Sequence, residues 1–190
     1  MVLGEMFNHL KKNMESDLEK VMPLLILKSG DTNKFLQEDC NVALDAIVEN
    51  SNPQKIILIV TAELVYHKSP LVRTTVSRLL AYTVEKMGVL KALSGGKDIT
   101  DKLLPAIGKL AQDASQDTRN YAKSCLHRML HEHTDFERIL KKSLTPNTMR
   151  NLEKIIEALK NRQNLSFLTA KPGRGQNRSR GRGRGSRKTL

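Results

Sequence analysis

The 190-residue sequence has no tryptophan, and its aromatic residues make up only 4% of the chain. A hydrophobic core must therefore be built from aliphatic side chains, a composition that favours helix-on-helix packing over a β-sandwich. Two cysteines, Cys40 and Cys125, are too few for a disulfide framework, and we expect buried, reduced thiols of a cytosolic protein. The longest apolar run, "IILIV" at residues 56–60, is too short to cross a membrane. We expect no signal peptide and no membrane partner.

Recognisable catalytic chemistry is also missing from the sequence. No serine, cysteine or paired-carboxylate arrangement supports catalysis, and there is no Walker phosphate-binding pattern. His127 and His131 stand one helical turn apart, a spacing that suits a metal ion, but no second ligand pair lies near them in the sequence. We therefore expect a protein that is not an enzyme and that needs no cofactor, no metal and no small-molecule substrate.

Acidic residues are absent from the C-terminal end of the chain, where basic residues are concentrated. The net charge is +12, and eight of the 32 basic residues lie within residues 171–190. The other 170 residues hold 24 basic and 20 acidic residues, so they carry only +4. The segment 162–190 is rich in arginine and glycine and lacks apolar periodicity, which predicts a disordered tail.

Helix start signals recur along the rest of the chain, and strand-like alternation is absent. Capping residues stand immediately before Pro53, Pro70 and Pro146, and proline suits the first turn of a helix. Ser16 and Ser115 are predicted to be further N-caps. Apolar residues at helical spacing follow these signals. The pattern predicts helices at residues 2–13, 16–28, 33–50, 53–67, 70–87, 98–112, 116–131, 135–143 and 146–161.

The helices form pairs, and the pairs repeat. The stretch "VMPLLILKSGD" at 21–31 is echoed 82 residues later by "LLPAIGKLAQD" at 103–113. In the second helices Gln37, Arg73 and Arg119 take equivalent positions, separated by 36 and 46 residues. Two periods near 41 residues are typical of HEAT repeats, whose units bury their apolar stripes by stacking. We therefore predict an all-α fold, an α-solenoid of HEAT-type helix pairs over residues 1–161 with a disordered basic tail.

Several stretches support a more specific resemblance. "KSGDTNKFLQEDCNVALDAIVENSNPQKII", "EKMGVLKALSGGKDITDKLLP" and "AQDASQDTR" resemble a TOG domain, most closely the C-terminal TOG domain of the TOG array regulator of axonemal microtubules (crescerin) family. The resemblance implies HEAT repeats that bind tubulin through the loops within each repeat, along one narrow edge. It also implies regulation of microtubule polymerisation, in the cytoplasm and cytoskeleton and in the cilium or axoneme.

The sequence departs from the TOG pattern at its N-terminal end. The stretch "LGEMFNHLKKNM" resembles the second helix of the second repeat, so the resemblance implies an array without its first repeat and a half. Many TOG domains contact tubulin with a tryptophan in the first intra-repeat loop, and this sequence has no tryptophan.

The resemblance places the tubulin contacts in turns at residues 29–34, 67–70 and 113–119. The basic side chains expected along this edge are Lys34, Lys68, Arg73 and Arg119. Because tubulin is acidic, basic groups here would speed encounter and fix register. Alternatively, Arg73 and Arg119 are structural and bind a neighbouring aspartate or helix-end carbonyls, and Asp113 is close enough in sequence to serve Arg119.

The Arg-Gly tail has two candidate partners besides solvent. Its guanidinium groups can pair bidentately with carboxylates or phosphates. The arginines concerned are Arg174, Arg178, Arg180, Arg182, Arg184 and Arg187. The acidic tails of tubulin are one partner, and nucleic acid is the other. The alternative function is therefore a HEAT-repeat protein–protein adaptor with an RNA-binding tail.

Overall fold

A computed structural model describes residues 15–161, together with Glu5 and His9. Within this part all regular structure is helical, which confirms the all-α class. The helices are α1 (Leu18–Lys28), α2 (Lys34–Asn50), α3 (Pro53–Ala62), α4 (Pro70–Met87), α5 (Val89–Ser94), α6 (Lys97–Leu110), α7 (Gln116–Glu132), α8 (Phe136–Ser143) and α9 (Pro146–Asn161). The disordered tail predicted at 162–190 lies outside the described residues, as does most of the helix predicted at 2–13.

The helices stack as pairs in two layers. The first helices of the pairs, α1, α3, α6 and α8, pack against one another in that order. The second helices, α2, α4, α7 and α9, form the other layer in the same way. The buried aliphatic side chains between the layers form one continuous cluster from Leu18 to Leu159. The predicted α-solenoid is thus confirmed, since each pair buries its apolar stripe against its neighbours.

Side chains cap the N-terminal ends of four described helices: the caps at Asn52, Ser115 and Thr145 were predicted, and the cap at Asn33 was not. Asn33 Oδ1 accepts a hydrogen bond from the Phe35 amide at 3.0 Å at the start of α2. Asn52 Oδ1 accepts one from Gln54 at 2.9 Å at the start of α3. The Ser115 hydroxyl likewise caps α7. These bonds satisfy amides that have no acceptor within the helix.

Two predicted caps are wrong. Helix α1 begins at Leu18 after Asp17, so Ser16 is not its N-cap, and the Asp17 side chain makes no capping bond. Ser69 is the N-cap residue of α4, but its side chain does not bond to the helix. The helix predicted at 53–67 is also shorter, because α3 ends at Ala62 and a separate 3₁₀ turn follows at Leu64–Tyr66.

Helix α5 was not predicted, and it accounts for the unequal repeat spacing. It lies between α4 and α6, where the spacing of equivalent positions, Arg73 to Arg119, is 46 residues, whereas the spacing from Gln37 to Arg73 is 36. Gly88 and Gly96 bound this insertion with φ of 83° and 101°, a left-handed backbone that glycine adopts without a steric penalty. Val89 and Ala92 are buried, so the insertion packs onto the array.

The turns within the helix pairs are turn 1 (residues 29–33), turn 2 (63–69), turn 3 (111–115) and turn 4 (144–145). We call this row of turns, with the first residues of the helices that follow them, the rim. Turn 1 packs on α4, where the Ser29 and Thr75 hydroxyl oxygens are 2.8 Å apart. Turn 3 also contacts α4, with the Thr74 and Ser115 hydroxyl oxygens 3.4 Å apart. The turns therefore follow one another along one edge, as predicted.

We predict that Gly30→Ala destabilises the fold by about 1–3 kcal/mol, because its methyl group would force side chains apart in a packed region. A Cβ at this position would lie 2.7 Å from Val72 Cγ2, and Val72 is fully buried. Denaturant unfolding measures the change. The control is Thr32→Ala at the exposed part of the same turn, which should stay within about 0.5 kcal/mol of wild type. Equal stability of both variants would mean that turn 1 does not pack on α4.

Candidate protein-binding rim

Turns 1 to 3 are built on a common plan. In turn 1 the Asp31 carboxylate accepts a hydrogen bond from the Asn33 amide at 3.1 Å. In turn 3 the Asp113 carboxylate accepts one from the Ser115 amide at 2.8 Å. In turn 2 His67 takes the aspartate position, and its Nδ1 lies 3.2 Å from the amide nitrogen two residues later. In each turn this short acceptor side chain fixes the path of the backbone into the following helix.

A second feature of the plan is a side chain that reaches back from the following helix. Gln37, Arg73 and Arg119 each donate to the carbonyl oxygen six residues earlier. The two arginines use Nη1, at 2.7 and 2.6 Å, and both also bond the carbonyl five residues earlier. The equivalence predicted from spacings of 36 and 46 residues is therefore confirmed as an equivalence of contacts.

The remaining edge of the Arg73 guanidinium joins two repeats. Its Nε lies 2.6 Å from Asp113 Oδ2, and its Nη2 lies 3.1 Å from Oδ1. The side chains are 15% and 5% exposed, so the pair is nearly dry. Burial raises the pKa of Asp113, but hydrogen bonds from Arg73 and the Ser115 amide outweigh it and hold that pKa below its ordinary value. Asp113 was a predicted carboxylate partner for Arg119, and its carboxylate instead binds Arg73 of the preceding repeat.

Arg119 has no carboxylate partner within residues 15–161, whereas the equivalent Arg73 is paired with Asp113. Nη2 of Arg119 contacts the Gln116 side-chain oxygen, and within residues 15–161 no ion pair to Arg119 is formed. In Arg73 the equivalent edge is closed by Asp113. The Nη2 side of the Arg119 guanidinium therefore has no carboxylate partner within the described residues. Arg119 is partly exposed on the rim, where an incoming carboxylate can approach it.

Both predicted lysines are exposed on the rim. Lys34 is the first residue of α2, and Lys68 lies in turn 2. The exposed apolar residues beside them were missed by sequence reasoning. Phe35 is 83% exposed, Tyr66 is 68% exposed and Leu71 is 48% exposed. Phe35 and Leu71 are 36 residues apart, one repeat spacing, so comparison of equivalent positions is the signal that could have found them.

The histidines and cysteines singled out in the sequence do not form a larger site within the described residues. The His127 and His131 rings have centroids 4.5 Å apart. Burial lowers the pKa of His127, with a smaller effect from His131. No group of three or more metal-ligating side chains is placed together in the described part of the chain. Cys40 and Cys125 are buried and unbonded, as predicted, and burial raises the pKa of Cys125 to about 12.

Two further predictions concern the membrane and the C-terminal tail. No described helix is long and apolar enough to cross a membrane. The tail arginines, residues 174–187, lie outside the described residues.

An array of helix pairs joined by a row of turns is the architecture of a helical-repeat domain. The chain belongs to the CLASP N-terminal family, whose family model matches residues 1–153. The TOG array regulator of axonemal microtubules protein 1 of Mus musculus is 37% identical over 159 residues, 84% of this chain and 9% of the relative. The predicted resemblance is thereby confirmed.

A more distant relative is also similar in sequence. The crescerin-like protein che-12 of Caenorhabditis elegans is 21% identical over 169 residues, 88% of this chain and 13% of the relative. The chain therefore spans about a tenth of the length of these curated relatives. The prediction that the array lacks its first repeat and a half stays a prediction.

Two solved structures share the fold. The MAST/Orbit N-terminal domain matches with a TM-score of 0.59 and 18% identity, over 83% of this chain and 69% of that one. A structure titled "TOG-tubulin binding specificity promotes microtubule dynamics and mitotic spindle formation" matches with a TM-score of 0.57 and 19% identity, over 82% and 58%.

We predict that Arg73→Ala and Asp113→Ala each lower the free energy of unfolding by about 3 kcal/mol, because each leaves a buried charge unpaired. The double variant should lose clearly less than the sum of the two single losses, since both substitutions remove the shared ion pair, while each also removes bonds within its own turn. Denaturant unfolding of all four proteins measures this coupling. The control pair is Arg128 and Glu85, 2.9 Å apart with side chains 32% and 53% exposed. It should contribute less than about 1 kcal/mol. A similarly small coupling free energy for Arg73 and Asp113 would contradict the conclusion that this ion pair holds turns 2 and 3 together.

Proposed function

We propose that this chain is a non-enzymatic microtubule-associated domain that binds tubulin through its rim and regulates microtubule polymerisation. The observation that carries the proposal is the row of turns that presents exposed basic and aromatic side chains side by side. Family membership supports it, because the mouse relative is named a regulator of axonemal microtubules and a structural neighbour's title refers to TOG–tubulin binding.

The charge of the rim suits an acidic partner. Lys34 and Lys68 lie on neighbouring turns, and the structure records no ion pair for either within residues 15–161. Basic groups arranged along a narrow edge accelerate encounter with an acidic surface and fix its register. These two lysines therefore supply steering in the proposed complex.

The apolar residues of the rim would supply most of the affinity. Aromatic side chains are enriched among the residues that dominate binding energy, since they bury a large area on contact. Phe35 and Tyr66 are more than two-thirds exposed and flank the two lysines. A partner that covers both rings would also exclude water from the basic groups beside them.

The two arginines have different proposed roles. Arg73 supports binding by fixing the distance between turns 2 and 3 through Asp113. Arg119 contacts tubulin directly, because its guanidinium is already oriented by the turn carbonyls and its other edge has no carboxylate partner. Such an oriented fork binds an incoming carboxylate with little loss of side-chain freedom.

The name of one relative supports a proposed cellular site of action. The mouse relative is named for axonemal microtubules, so we propose that this chain acts in the cytoskeleton, in the cilium or axoneme. Binding to free tubulin or to the lattice would both regulate polymerisation through the same rim.

The domain boundary proposed at residue 161 falls at the end of helix α9. Helix α9 begins beside turn 4 and has 16 residues, so it is about 24 Å long and ends at the opposite edge. The basic segment 162–190 follows this helix in the sequence. We propose that its arginines add weak, salt-sensitive attraction to the acidic tails of tubulin.

We predict that charge reversal on the rim weakens tubulin binding. Lys34→Glu, Lys68→Glu and Arg119→Glu should each reduce the affinity of the full chain for unpolymerised tubulin by about tenfold or more. Phe35→Ala should have a similar effect through lost buried area. Size-exclusion chromatography and titration by fluorescence measure binding at physiological salt.

The matched control is Lys91→Glu, an exposed charge reversal on α5 at the opposite edge. It should leave tubulin affinity within about twofold of wild type, since interactions beyond a Debye length are screened. Equal losses for Lys91→Glu and Lys34→Glu would show a non-specific charge effect and contradict the rim as the site.

We predict a different result for removal of residues 162–190. Microtubule co-sedimentation should fall strongly at low salt and little at moderate salt, because released counterions drive the contribution of the tail. Binding to free tubulin should remain. If the tail alone accounts for microtubule binding and RNA competes for it, the adaptor with an RNA-binding tail is the better account.

A further inference from the structure

The prolines of the chain mark two hydroxyl-bearing residues on the rim. Of the six prolines, two follow a serine or threonine, in Ser69-Pro70 and Thr145-Pro146. Ser69 ends turn 2 and Thr145 ends turn 4, so both dipeptides lie in turns of the rim. A proline directly after the hydroxyl residue is the feature that proline-directed protein kinases require.

The two hydroxyl groups differ in their hydrogen bonding. Thr145 Oγ1 lies 3.3 Å from the Thr148 amide nitrogen and 2.9 Å from the Thr148 hydroxyl oxygen, so it serves as a helix cap. The Ser69 side chain makes no capping bond to α4. The amide of Ser69 bonds His67, and within residues 15–161 the Ser69 hydroxyl makes no hydrogen bond.

The chain around Ser69 is open to a modifying enzyme. Tyr66, Lys68, Pro70 and Leu71 are all exposed. Ser69 itself is half-buried and has φ of −72° and ψ of 124°, an extended backbone of the kind that fits a substrate groove.

We propose that Ser69 is a phosphorylation site for a proline-directed serine/threonine kinase, and that the phosphate switches off partner binding at the rim. In this step Ser69 Oγ attacks the γ-phosphorus of ATP and forms an O–P bond. The bond from that phosphorus to the bridging oxygen of ADP breaks, and the hydroxyl proton passes to the base of the kinase. The regulatory part rests on the proposed tubulin binding, whereas the modification itself does not.

The N-terminal end of α4 offers hydrogen-bond donors to this phosphate. Helix α4 has 18 residues and begins at Pro70, which has no amide proton. The next amides, those of Leu71 and Val72, lie in the first turn and have no acceptor within the helix. A phosphate on the N-cap residue can accept from them and gains from the positive end of the helix dipole.

The same phosphate would offset the positive charge of the rim. Ser69 Oγ lies 3.4 Å from the position a Cβ of Gly30 would occupy, so Ser69 stands between turns 1 and 2. A phosphoserine carries a charge of about −1.5 to −2 at neutral pH. This charge is comparable to the combined charge of Lys34 and Lys68, the two steering groups on those turns, and it would repel an acidic partner.

The test is to treat the purified full chain with Mg·ATP and a purified proline-directed kinase. Mass spectrometry should map one phosphate to Ser69. The affinity of the phosphorylated chain for tubulin should fall by about tenfold or more. Its thermal midpoint should stay equal or rise, since the helix end binds the phosphate.

Matched variants separate the two dipeptides. Ser69→Ala should remain unphosphorylated at this turn, and kinase treatment should leave its tubulin affinity equal to that of the same variant before treatment, whereas treatment of Thr145→Ala should lower its affinity as it does for wild type. Phosphate on Thr145 alone, a lowered thermal midpoint, or unchanged tubulin affinity of the modified chain would overturn the proposal. If the unmodified chain fails to bind tubulin, the proposed function and this switch both fail, whereas the mapping and the thermal midpoint still decide the modification of Ser69.

Discussion

The ion pair between Arg73 and Asp113 links the second and third helix pairs at their turns. Arg73 also bonds the carbonyls of its own turn, so a single guanidinium holds turn 2 in shape and anchors it to turn 3. Such a nearly dry pair is costly to break, because removal of either partner leaves a buried charge. The rim is therefore preorganised, and a partner that binds across several turns need not order them first.

Much of the architecture follows from local sequence features. Capping residues before prolines, periodic aliphatic residues and the echo around Pro23 and Pro105 predict paired helices, because caps, turns and apolar stripes depend on neighbours within a few residues. The equivalence of Gln37, Arg73 and Arg119 was also predictable, since each side chain bonds a carbonyl of its own turn. Asp31 and Asp113 follow the two internal prolines at the same distance of eight residues.

Features that depend on contacts between repeats were not predictable in the same way. The partner of Asp113 comes from a residue 40 positions earlier, and sequence proximity pointed to Arg119 instead. Helix α5 has six residues and no capping side chain, so only its packing on the array defines it. The exposure of Phe35 and Tyr66 is likewise set by tertiary packing. The neighbouring sequence does not show whether an apolar residue beside a periodic apolar stripe is buried with the stripe or exposed.

Hydrogen–deuterium exchange of the full chain with and without tubulin tests most directly whether the row of turns is the binding surface. The account predicts slower amide exchange in segments 29–37, 64–73 and 111–119 when tubulin is bound. It predicts unchanged exchange at the opposite edge, in segments 50–54 and 88–96. Protection confined to the opposite edge, with the three turn segments unaffected, would contradict the account.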